Sequence, residues 1–118
     1  MSKRSIELYL RDILDAIDKI ETYTSSVDFE MFSKNPMMID AVLMNIAVIG
    51  EAAKKVPDEI KESYPEIPWK EISGMRDRII HDYFGIDIEI VWQTVIKDIP
   101  YLKNAIKQIY KKLLHKER

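Results

Sequence analysis

Two apolar stripes decide what this chain can fold into. Ile6, Leu10, Ile13, Ile17 and Ile20 recur at alternating steps of four and three, and so do Ile88, Trp92, Val95, Ile99, Leu102, Ile106, Ile109 and Leu113. That spacing places each set along one side of an α-helix and would scatter it over both faces of a strand. Three glycines in 118 residues leave little material for β-hairpins or Gly-rich phosphate loops. The expected fold is all-α.

The segments between the stripes read the same way. Asp28 to Phe32 forms a short helical connector, and Asn35-Pro36 supplies a cap followed by proline at the first helical position. The helix that follows runs to about Val56 and is apolar on most sides, so it sits centrally with neighbours around it. Pro57 ends it, and Asp58 to Tyr64 makes a polar helix of one or two turns. Pro65 and Pro68 precede a helix over Trp69 to Tyr83. Gly85 and Asp87 mark the next break, with Asp87 as N-cap. The second stripe passes through Pro100, which requires a kink there or a junction of two helices. Together these give a single domain over residues 1–118: an up-and-down four-helix bundle with short additional helices in the connections. Neither stripe exceeds about four heptads, which favours packing within the bundle over a coiled coil. A homodimer through a remaining apolar face fits so small a chain.

Composition excludes several functions. The lack of cysteine removes disulfides, thiol catalysis and thiolate metal sites, and agrees with a reducing cytoplasm. No apolar run reaches the about 18 residues needed to cross a bilayer, and the first residues lack a signal-type stretch, so no membrane partner is expected. A net charge of −2 argues against general nucleic-acid binding. Residues 97–118 nonetheless hold seven of the 18 basic side chains and two of the 20 acidic ones. Lys103, Lys107, Lys111, Lys112, Lys116 and Arg118 are in reach of a phosphate backbone, but cations also gather at a helix C-terminus because the macrodipole favours them. The second explanation is preferred.

One segment carries chemistry. In residues 67–85, Arg76 is followed five places on by His81 and seven places on by Tyr83. On an ideal helix Arg76 and His81 stand about 140° apart around the axis and about 7.5 Å apart along it. One copy therefore makes a loose site, whereas two copies across a twofold axis make a tighter cleft. Asp77 lies one turn before His81, where its carboxylate can accept a proton from one imidazole nitrogen and set the tautomer of the other. Arg78 and Asp82 are spaced for a surface ion pair. Such a set suits RNA cleavage without a metal or cofactor, because RNA carries its own nucleophile, the 2′-hydroxyl. Histidine moves protons near neutral pH, and arginine offsets charge building on the phosphate. The spacing alone is common in helices and decides nothing.

The words around it add weight. Ile67-Pro68-Trp69, Ile72-Ser73-Gly74-Met75-Arg76-Asp77-Arg78 and His81-Asp82-Tyr83-Phe84 resemble the HepT-like branch of the HEPN domains. So do Asn45 to Lys54 in the central helix and Val91-Trp92 after the motif, and the resemblance spans nearly the whole chain in order. It implies the toxin of a type VII toxin–antitoxin pair: a homodimeric, metal-independent ribonuclease with the motif lining a shared cleft. It further implies a minimal nucleotidyltransferase as antitoxin, which transfers AMP to the motif tyrosine. Carried over, Arg76 and His81 are the catalytic pair and Tyr83 the AMPylation site. Where many members have a polar residue after the arginine, often asparagine, this chain has Asp77. The other reading is a non-catalytic HEPN module that binds nucleotide or RNA, or only partners a nucleotidyltransferase. Trp69 and Trp92 read as core anchors rather than base-stacking platforms, and Gly50 as a point of close helix approach. Glu51 reads equally as a functional polar group or a structural carboxylate, and His115 receives no role.

Overall fold

The computed structural model describes residues 3–116, with side chains for residues 6–115. The Lys116 side chain and Arg118, both counted in the basic end, lie outside these. Every regular element among the described residues is helical: α1 (Lys3–Thr24), α2 (Phe29–Ser33), α3 (Pro36–Lys54), α4 (Asp58–Ser63), α5 (Trp69–Ser73), α6 (Met75–Asp82), α7 (Ile88–Gln93) and α8 (Ile99–Lys116). The expected caps form. Asn35 accepts from the Met38 amide ahead of Pro36, and Asp87 accepts from the Glu89 and Ile90 amides. Replacing the latter by alanine removes the acceptor for two otherwise unpaired N–H groups. Asp87→Ala is expected to cost about 0.5–2 kcal/mol in chemical denaturation.

The core is built from the two stripes and one side of α3. Leu10, Ile13, Ile17 and Ile20 of α1 are buried against Val42, Ile46, Ile49 and Ala53 of α3 and Ile99, Leu102, Ile106 and Ile109 of α8. The central helix α3 packs against α1, α5 and α6. This neighbourhood explains one departure from expectation. At 19 residues α3 is long and apolar enough to cross a membrane by length and composition, yet a helix enclosed on several sides acquires the same composition. Both tryptophans anchor the interior. Trp69 is buried with its indole N–H donating to the Tyr64 carbonyl at 3.1 Å, and Trp92 packs on Phe32 at 5.0 Å between ring centres.

One helix expected to be continuous is interrupted, and the second stripe divides just ahead of Pro100. The Trp69 to Tyr83 helix divides at Gly74 into α5 and α6 and leaves helical geometry at Asp82 (φ −110°, ψ 16°), so Tyr83 begins a 3₁₀ turn, Tyr83–Gly85. The expected Arg78–Asp82 ion pair is replaced by a contact across that division, where the Arg78 guanidinium donates to the Glu71 carbonyl at 3.0 Å. A carbonyl near a helix C-terminus has no intrahelical donor, and arginine supplies one. The second stripe is joined by a π-helical segment, Thr94–Asp98, in which the Ile99 amide donates five residues back to Thr94. The wider turn accommodates Pro100, whose ring lacks an N–H and crowds the carbonyl four residues earlier. In the basic end, Lys103 pairs with Glu21 of α1 at 2.6 Å and Lys112 lies 5.4 Å above the Tyr64 ring, so part of that charge has an architectural use.

Candidate active site

Helix α6 lies antiparallel along α3, held at both ends. At its start Gly50 admits the backbone of the α5–α6 junction: a Cβ added there would stand 2.9 Å from the Ile72 carbonyl oxygen and 3.2 Å from the Arg76 amide nitrogen. At its far end the Tyr83 hydroxyl donates to Asp40 Oδ1 at 2.7 Å. Arg76 is thereby set against residues 50 and 51 of α3 and Tyr83 against residue 40.

The side chains then diverge as helical geometry requires. Arg76 turns toward α1 and α3, with Nε 3.9 Å from Glu51 Oε1 and Nη1 3.5 Å from Asp77 Oδ1. It lines a cleft of about 250 Å³ together with Tyr9, Asp12, Met44 and Lys55. His81 is exposed at the rim of a different groove, of about 600 Å³, whose walls include Leu43, Ile79, Phe84 and Ile90. One copy of the chain does not bring Arg76 and His81 into one cleft. Asp77 faces the guanidinium, and among the described residues no hydrogen bond joins it to His81. Half-exposed pairs of this kind contribute about 0–1 kcal/mol and leave Arg76 free to exchange partners. Glu51, readable from sequence in two ways, is the neighbour of Arg76 on α3.

Tyr83 is 45% exposed. Its phenol is raised above the ordinary tyrosine range, first by the hydrogen bond to Asp40 and then by that carboxylate's charge. Asp40 is a site residue that sequence reasoning missed. It sits 43 positions from Tyr83, and only the antiparallel packing of α6 on α3 makes them neighbours. Around these groups the surface is apolar. Met37, Met44 and Val48 recur along the outer side of α3, Ile80 follows Arg76 by one turn, and Phe84 is fully exposed. Apolar residues grouped in this way mark an interaction face more often than a solvated one. Among the described residues no three His, Asp or Glu side chains come together as a metal-binding group.

An all-α chain whose Arg-x4-His-x-Tyr segment is laid across an apolar central helix is HEPN-like. The chain belongs to the ribonuclease HepT-like family, which matches residues 13–109. It is 46% identical over 116 residues to a Methanocaldococcus jannaschii protein provisionally named an RNase, covering 98% of this chain and all of that one. A Thermococcus cleftensis protein named "Probable ribonuclease HepT" is 44% identical over 109 residues, covering 92% of this chain and 99% of its own. A Caldanaerobacter subterraneus protein, also provisionally named an RNase, is 40% identical over 104 residues, covering 88% and 93%. No solved structure matches.

Proposed function

We propose that this chain is the toxin of a type VII toxin–antitoxin pair, a cytoplasmic endoribonuclease that cuts cellular RNA without a metal. Two copies pack through the apolar face of α3 and α6, so that Arg76 and His81 of different copies meet in one cleft. His81 exchanges protons with the 2′-hydroxyl and the leaving oxygen, and Arg76 holds the phosphate as its charge grows. A minimal nucleotidyltransferase silences the enzyme by transferring AMP to Tyr83. The observation that carries this reading is the arrangement on α6. Arg76 and His81 line separate clefts in one copy, and the exposed apolar side chains of Ile80 and Phe84 flank His81 in the chain.

RNA chemistry supports the metal-free route, since substrate nucleophile, proton carrier and cation are all supplied. The full-length chain is expected to cleave transfer or messenger RNA in EDTA. Cleavage that appears only on adding a divalent cation would overturn the metal-free mechanism. Intact mass of the chain, isolated with and without a co-expressed nucleotidyltransferase, is expected to differ by one or more AMP groups located on Tyr83.

One observation favours a second reading, a HEPN module that binds nucleotide or RNA without cutting it. Arg76 already stands between the carboxylates of Glu51 and Asp77, which dilutes its attraction for phosphate. On that reading Arg76→Ala weakens RNA binding in a filter or anisotropy assay and no shortened product appears from any variant.

A further inference from the structure

The contact between Tyr83 and Asp40 has the geometry of a nucleophile with its base. The phenol oxygen stands 2.7 Å from Asp40 Oδ1, inside the distance at which a proton passes directly. The acceptor comes from α3 and the donor from the turn after α6, so the pair is formed by the packing of two elements and not by local sequence. The hydrogen bond also orients the hydroxyl: with its proton directed at Asp40, the oxygen lone pairs face away from the carboxylate, and the half-exposed ring leaves them accessible. Tyr101 offers a contrast. Its hydroxyl lies 3.4 Å from the Glu66 backbone carbonyl, which takes up no proton.

We propose that Asp40 is the general base for modification of Tyr83, so that the toxin carries part of the machinery that silences it. The proposal rests on reading Tyr83 as the AMPylation site. As the phenol oxygen attacks the α-phosphorus of ATP, an Oη–P bond forms and the bond from that phosphorus to the bridging oxygen of the β-phosphate breaks. Pyrophosphate leaves, and the proton on Oη passes to Asp40 Oδ1 and then to water. A base is required because a tyrosine phenol is neutral near pH 7 even at its ordinary value of about 10, and the carboxylate raises it further. A neutral phenol is a poor nucleophile unless its proton departs as the new bond forms. The carboxylate that holds the hydroxyl proton in a hydrogen bond at rest accepts it during attack.

The test follows adduct formation on Tyr83 by intact and peptide mass, using this chain, a minimal nucleotidyltransferase, ATP and Mg²⁺, between about pH 6 and 9. Asp40→Asn is close in shape and keeps the hydrogen-bond acceptor but not the base. It is expected to slow modification by about 10²–10⁴-fold at neutral pH. The ratio of wild-type to variant rate is expected to fall by about tenfold per pH unit, as phenolate supplies the variant's nucleophile. Taking the ratio cancels the transferase's own pH response. Asp40→Glu is expected to recover part of the rate and to lose that slope, and Asp40→Ala serves the same comparison if Asp40→Asn does not fold. Modification of Asp40→Asn at the wild-type rate, or slowed by one factor at every pH, would overturn the proposal and leave Tyr83 as the modified residue. If wild-type Tyr83 gains no adduct, the AMPylation reading falls and the role of Asp40 with it.

Discussion

His81→Ala is expected to lower RNA cleavage by about 10²–10⁴-fold, the usual cost of losing a positioned proton carrier. Arg76→Ala is expected to cost about 10²–10³-fold through lost stabilisation of the transition-state charge. The decisive result comes from mixing the two inactive proteins. In one copy the groups occupy separate clefts, on sides of α6 that the helical repeat holds about 140° apart. If the working site takes arginine from one copy and histidine from the other, a mixed dimer keeps one intact site and loses the other. Random exchange between equal amounts makes about half the dimers mixed, so about a quarter of wild-type cleavage returns. If the site lies within one copy, every copy in the mixture is defective and nothing returns. A fluorescent RNA substrate in EDTA, followed after the proteins have exchanged subunits, separates the outcomes. Recovery near a quarter supports the shared cleft, and persistent inactivity would refute it even if each single variant behaves as expected.

The contrast between what was legible in the sequence and what was not follows from range. The stripes on α1 and α8 were legible because burial repeats every three or four residues, and Leu10, Ile17, Ile99 and Ile106 are buried as their spacing requires. Caps were legible at Asn35 and Asp87, where a side chain answers backbone amides two or three residues away. The divergence of Arg76 from His81 was legible too, since it needs only the helical repeat. The division at Gly74 was not, because its backbone (φ −84°, ψ −7°) departs only slightly from helix and the apolar spacing runs through it. The Asp77 carboxylate has two neighbours in reach, His81 one turn on and Arg76 beside it. Sequence spacing points to the first, but in the single chain it lies 3.5 Å from the guanidinium. Asp40 was illegible for a different reason: nothing local to it or to Tyr83 encodes the packing that joins them.

That packing depends on Gly50, and Gly50→Ala is expected to lower both stability and cleavage. Alanine would gain about 1 kcal/mol of helix propensity over glycine at an exposed helical position. Here its methyl would stand 2.9 Å from one backbone atom and 3.2 Å from another, the Ile72 carbonyl oxygen and the Arg76 amide nitrogen. Backbone atoms cannot turn aside as a side-chain end can, so relief requires moving the α5–α6 junction away from α3. Overpacking of this kind costs about 1–3 kcal/mol and outweighs the propensity gain. The displaced atoms include the backbone of Arg76, and if Arg76 holds the phosphate as proposed, a shift approaching 1 Å there lowers the rate by about 10²-fold. Gly85→Ala provides the comparison, because an added Cβ meets nothing within 4 Å there; its stability is expected to stay within about 0.5 kcal/mol of wild type. Denaturant unfolding and RNA cleavage, measured together on each variant, separate the two consequences of Gly50→Ala. Lower stability with undiminished cleavage would mean that α3 supports the fold here without positioning the arginine. Loss of both, beyond what the unfolded fraction explains, would show that close approach of α6 to α3 sets where Arg76 meets phosphate.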